Sequence, residues 1–144
     1  MLLSHWQVSP LFWRWLKAAW VRYGRRHDLA GISLQHQHMR AASGPEPDQI
    51  EGSFLSVNNG NLPYMYKVPG SWGFSPNRRV WPNFLAWQAE RAARGQLPDD
   101  LQFKGTDTLT TKWWKAFVAE GRDPKMWTQW YMRYMEDQVL YACV

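Results

Sequence analysis

Three groups of side chains in this 144-residue chain have the types and spacing to do chemistry. The first is aromatic: Trp72-Gly73-Phe74, and the run Trp127-Thr128-Gln129-Trp130, whose two indoles fall three residues apart and so share one helix face. Indoles stack on the C–H faces of sugars, a side-chain amide such as Gln129 serves hydroxyls, and a glycine lets backbone approach a ligand. Trp72, Gly73, Trp127, Gln129 and Trp130 are therefore the candidates for binding a sugar acceptor, although packing between helices would use the same rings. The second group is Arg78-Arg79, a guanidinium pair suited to a donor phosphate or to an exposed helix start. The third is a sparse set of acids and imidazoles. Asp123 is the acid nearest the Trp127 segment and the candidate general base, but its place before Pro124 also fits a helix N-cap. His5, and His36 with His38 at i,i+2, are candidate metal ligands with no carboxylate or cysteine beside them in sequence.

Other chemistries find no footing. No serine or cysteine has a convincing histidine and acid partner, and no glycine-rich phosphate loop occurs. The single cysteine, Cys143, rules out an internal disulfide and a thiol pair for metal. No apolar run approaches the roughly 18 to 20 residues of a membrane span, and His5 and Gln7 interrupt what would be a secretion signal, so the chain reads as soluble. The net charge of +5 is concentrated: Arg14, Lys17, Arg22, Arg25, Arg26 and Arg40 stand against only Asp28 in the first 42 residues. A basic chain with aromatic platforms has an alternative reading, a small nucleic-acid-binding protein using Arg25, Arg26, Arg78 and Arg79. Salt separates the two, because phosphate binding collapses with ionic strength and sugar stacking does not.

The elements that must carry these groups follow from punctuation and period. Ser9-Pro10 predicts a helix start, serine as N-cap and proline at the first position, with Phe12, Leu16, Ala19, Trp20 and Tyr23 as its core stripe and Gly24 as a left-handed end. A membrane-surface role for this helix fits less well, since Trp13 and Trp15 straddle the polar face. Leu29 to Leu34 reads as a buried strand. Residues 41–61, rich in Gly, Pro, Ser and Asn, predict a long flexible or functional loop. Asn59-Gly60 predicts a hairpin turn between Phe54–Val57 and Tyr64–Val68, with Pro63 confining the second strand to an edge or a start. Helices are expected at about Pro82–Arg94, Thr108–Glu120 and Pro124–Asp137, stopped by Gly95 and Gly121 and capped by Asp107 and Asp123. Glu136 and Asp137 sit where the helix dipole disfavours acids, a weak functional hint. Val139–Val144 reads as a final strand. The expected architecture is a single α/β domain, a small mixed sheet from the Leu29, Tyr64 and Val139 segments covered by about four helices.

In their order, Val8-Ser9-Pro10-Leu11-Phe12-Trp13-Arg14-Trp15-Leu16, Leu29 to Gln35, Tyr66-Lys67 with Gly70-Ser71-Trp72-Gly73-Phe74-Ser75-Pro76, and Met126-Trp127-Thr128-Gln129-Trp130 resemble the second half of GT-A-fold nucleotide-diphospho-sugar glycosyltransferases. The resemblance implies transfer of a sugar from a nucleotide-sugar to a hydroxyl of a glycan or glycoconjugate acceptor, with manganese or magnesium holding the donor diphosphate. In that family an acidic cluster precedes the Val-Ser-Pro, and here Leu3-Ser4-His5 stands in its place, so His5 alone is left as a weak ligand. The expectation is an acceptor-side portion that binds neither cation nor nucleotide-sugar by itself and does not transfer sugar alone.

Overall fold

The computed structural model describes residues 9–34, 59–60, 62–70, 73–98, 102–103, 106–122 and 126–144. They form four helices, α1 (Phe12–Tyr23), α2 (Trp81–Ala93), α3 (Leu109–Ala119) and α4 (Trp127–Asp137), and six short strands, β1 (Leu29–Ser33), β2 (Met65–Tyr66), β3 (Phe74–Pro76), β4 (Gln102–Phe103), β5 (Thr106–Asp107) and β6 (Tyr141–Cys143). β4 and β5 pair antiparallel as a separate two-stranded ribbon. The other four make a mixed sheet in the order β2-β6-β1-β3, parallel between β1 and β6 and antiparallel at both margins. The α/β architecture is thus the one expected, with β3 as an additional strand where a ligand loop was expected.

The centre of the sheet is the apolar run Leu29-Ala30-Gly31-Ile32-Ser33, all of it buried, as a strand covered on both faces must be. A register irregularity between Leu29 and Gly31 breaks the simple alternation, so Leu29 and Ile32 both pack toward α1 with Leu16, Ala19 and Cys143. Ala30 and Ala142 pack toward the opposite face, against Phe84, Tyr131, Tyr134 and Met135. The displaced Ala30 carbonyl accepts two hydrogen bonds, from the Tyr131 hydroxyl at 2.8 Å and from the Asn77 backbone N–H at 2.8 Å. Asn77 also donates its side-chain amide to the Leu29 carbonyl at 2.9 Å and accepts the Arg79 N–H at 3.0 Å, which turns the chain from β3 into α2.

Several boundaries differ from those expected, each for a local reason. α1 begins at Phe12, because Ser9 spends its hydroxyl on the Leu11 N–H and its carbonyl on the Phe12 N–H in a preceding turn. Gly24 is right-handed, with its N–H on the Trp20 carbonyl. Thr108 caps α3 through Thr111 N–H, while Asp107 sits in β5 and pairs with Lys115 at 2.8 Å. Gly95 and Gly121 do take positive φ after α2 and α3. α4 ends the same way at Val139, φ 53°, so Val139 and Leu140 close a helix and the final strand spans only Tyr141–Cys143. That strand lies inside the sheet between β1 and β2, and β2 is a margin strand as Pro63 requires. Asn59-Gly60 forms a turn with Gly60 at φ 70°; the Phe54–Val57 arm and residues 41–58 lie outside the described residues.

Candidate functional site

α2 and α4 cross the same face of the sheet and meet through rings. Tyr131 stands at the centre, within 6.2 Å of the ring centroids of Phe74, Trp81, Phe84, Trp127 and Tyr134, mostly edge-on or tilted. Edge-to-face contacts suit the aromatic quadrupole, but flat plates set at large angles leave wedges that they cannot fill. The result is a groove of about 430 Å³ between the end of α2 and the start of α4, within the roughly 300–1,000 Å³ range of small-molecule sites. Its wall includes Trp81, Phe84, Gln88, Gln96, Trp127 and Trp130, and among the described residues no charged side chain lines it. Trp81 and Trp127 stand 5.8 Å apart at 73°, so one indole offers a face where the other offers an edge.

Glycine sets part of this geometry. A Cβ on Gly31 would come within 2.4 Å of the Phe74 ring, so the missing side chain lets that ring lie on the strand and support Trp127 at 5.9 Å. Gly73 has φ +68° and its carbonyl accepts the Leu34 N–H at 3.1 Å, so its demonstrated work is to carry the sheet past β1 and β3.

The expected site residues divide sharply. Trp127, 36 % exposed, and Trp130, 6 % exposed, both border the groove. Gln129 does not: it is fully buried and accepts a hydrogen bond from the Thr111 hydroxyl at 3.3 Å, joining α4 to α3. The alternation of a helix explains this, since Gln129 lies about 100° of rotation from Trp130 and 200° from Trp127. Arg78 is exposed at the turn into α2, and Arg79 donates to the Gly24 carbonyl at 2.9 Å, where a cation complements the end of α1. Trp72, Asp123 and His5 lie outside the described residues, as do His36 and His38.

Several of the charged candidates have partners within the fold. Arg26 forms a forked pair with Asp28 at 2.9 and 2.7 Å, and the hydrogen bonds from Arg26 hold the Asp28 carboxyl below the usual carboxylate range. Glu136 pairs with Lys67 at 3.1 Å, and Asp137 with Arg91 of α2 at 3.2 Å and with Arg133 one turn earlier in α4 at 2.9 Å, so the acids at the end of α4 are neutralised within the fold. Burial pushes the Cys143 thiol up, which makes it an inert core residue. Among the described residues no three His, Cys, Asp or Glu side chains converge as metal ligands.

Trp81, Phe84, Gln88 and Gln96 were not singled out by the sequence as site residues. The signal was present: Trp81, Phe84, Leu85, Gln88 and Ala92 follow helical spacing along one side of α2. No family model, no curated protein and no solved structure matches the chain.

Proposed function

We propose that this chain is the acceptor-binding part of a glycosyltransferase-like enzyme, with the groove between α2 and α4 holding a neutral sugar of the acceptor. The observation that carries the reading is the chemistry of the wall: two partly exposed indoles, side-chain amides of Gln88 and Gln96, and no charge among the described residues that line it, in a chain of net charge +5. Sugar rings present C–H faces to indoles and hydroxyls to amides, which both donate and accept. A phosphate-bearing ligand would favour a cationic wall, and the described cations lie elsewhere. The mixed α/β sheet and the position of Phe74 behind Trp127 are compatible with the order of landmarks that resembles the glycosyltransferases. Transfer itself requires a base for the acceptor hydroxyl and charge stabilisation for the leaving diphosphate. The described residues of the wall supply neither, and the part proposed for them is binding and orientation.

The test is saturation-transfer NMR of the intact chain with a panel of neutral mono- and disaccharides (glucose, galactose, mannose, N-acetylglucosamine, lactose, cellobiose), at about 50 and about 500 mM salt. At least one member should receive saturation at both salts, and Gln88→Ala and Trp127→Ala should each weaken that signal. Silence across the panel would sink the proposal, as would binding that survives both substitutions unchanged.

A further inference from the structure

The first turn of α1 is built unlike the rest of the helix. Leu16 and Ala19 bury the helix against β1, with Trp20 and Tyr23 beside them. Before them, Leu11 (58 % exposed), Phe12, Trp13 (55 %) and Trp15 are all exposed, so the apolar side chains of this turn fan over about 200° around the axis, with Arg14 in the remaining arc. Arg14 and Lys17 interleave with these rings, and the Lys17 ammonium lies 5.7 Å over the Trp13 indole. Arg22 and Arg25 continue the charge along the exposed side, and no acid occurs from Ser9 to His27.

We propose that this end of α1 docks tip-first on a bilayer surface carrying anionic headgroups. The charge selects the partner, since an unrelieved cluster of arginine and lysine is attracted to acidic lipid at about 1 kcal/mol for each cation, or roughly fivefold in partition. The side chains select the depth. Indoles favour the membrane interface, where an apolar body and a polar N–H are both satisfied, and the long basic stems can reach headgroups from below. A helix lying flat would use one side only, which Trp13 and Trp15, about 200° apart around the axis, do not share. A tip entering end-on accommodates rings fanned over so wide an arc. The same divergence argues against nucleic acid, whose bases stack in succession along one track.

Co-sedimentation of the intact chain with phosphatidylcholine vesicles, with and without about 30 % phosphatidylserine, tests this at about 100 mM salt. Partition should be at least about tenfold stronger on the anionic vesicles. Arg14→Gln with Lys17→Gln should weaken it about 25-fold, and Trp13→Ser with Trp15→Ser at least about fivefold, with melting temperature checked for each pair. Arg14 and Lys17 are exposed, so their variant decides the matter even if the tryptophan pair misfolds. Equal partition on both vesicle types, or variants that partition like the parent, would overturn the proposal. So would tighter binding of a single-stranded oligonucleotide that the same substitutions abolish, which would assign the tip to nucleic acid.

Discussion

The two faces of the central sheet solve the same burial problem with different materials. Toward α1 the fully buried core is aliphatic and thin: Leu16 and Ala19 meet Leu29, Ile32 and Cys143, with Trp20 and Tyr23 only at its border, and among the described residues α1 covers them. Toward α2 and α4 it is a mesh of rings around Tyr131, tied to the strand by the hydrogen bond to the Ala30 carbonyl. Small branched side chains close up on each other, whereas rings set at large mutual angles hold one another apart. A concavity therefore belongs to the aromatic face. On the aliphatic face, the membrane docking proposed above belongs to what α1 turns outward.

This contrast is broken or sharpened first by truncation. Phe84→Ala removes a buried ring that packs on Trp81, Tyr131 and Tyr134, and should cost about 3–4 kcal/mol in urea unfolding while erasing sugar binding. Leu16→Ala should cost about 2–3 kcal/mol and leave sugar binding intact in the folded fraction. If Leu16→Ala disturbed the groove as much as Phe84→Ala, the two faces would be one cooperative unit and the distinction would fail.

A smaller effect separates ring from hydroxyl. Tyr131→Phe keeps the ring and loses the bond to Ala30, whose carbonyl retains the Asn77 N–H, so about 1 kcal/mol should be lost at neutral pH. Burial, with a lesser contribution from Tyr134, raises the Tyr131 ionisation well above its ordinary value. The unfolded chain then releases this proton first as pH rises, so the native state is favoured fully below about pH 10 and progressively less above it. Tyr131→Phe should remove part of that alkaline loss. Further contributions come from Tyr66, pushed up to about 12 by burial, and from Tyr64, Tyr134 and the Cys143 thiol, which are raised in the same direction. Urea titrations between about pH 8 and 11 check this, and parallel curves for parent and variant would refute it.

How far such features were legible beforehand depended on whether their cause was local. The strand Leu29–Ser33, the helix ends at Gly95 and Gly121, and the marginal position imposed by Pro63 each follow from a residue's own backbone preferences. β3 was hidden because Phe74-Ser75-Pro76 acquires strand character only by pairing with Ile32 and its neighbours across more than forty residues. The fate of Gln129 was hidden for a similar reason: its chemistry suits a sugar hydroxyl, but α3 brings Thr111 to it first. Trp127 and Trp130 did reach the groove, yet its other wall comes from α2, whose site-facing side became distinguishable only once α4 had claimed the neighbouring one. Spacing tells which residues share a face, and packing decides what that face meets.

The smallest expected effect lies at the end of α4. α2, α3 and α4 all finish with the same pair of backbone bonds: Gly95 to Ala92 with Gln96 to Arg91, Gly121 to Val118 with Arg122 to Phe117, and Val139 to Glu136 with Leu140 to Met135. This arrangement places the residue after the C-cap in the left-handed region, where glycine is at ease and a β-branched side chain is strained by about 1–3 kcal/mol. Val139 is mostly exposed, so replacing it forfeits little burial. Glycine returns about 0.5–1 kcal/mol to the unfolded chain as entropy, which offsets part of the relief. Val139→Gly should therefore stabilise the fold by about 0.5–1 kcal/mol, read as a higher urea midpoint at unchanged slope. Gly95→Val and Gly121→Val, which introduce the same strain where no Cβ contact would hinder it, should destabilise by at least as much. A Val139→Gly variant weaker than its parent would mean that the valine side chain supports the α4–β6 turn, and the three helix ends would cease to be equivalent.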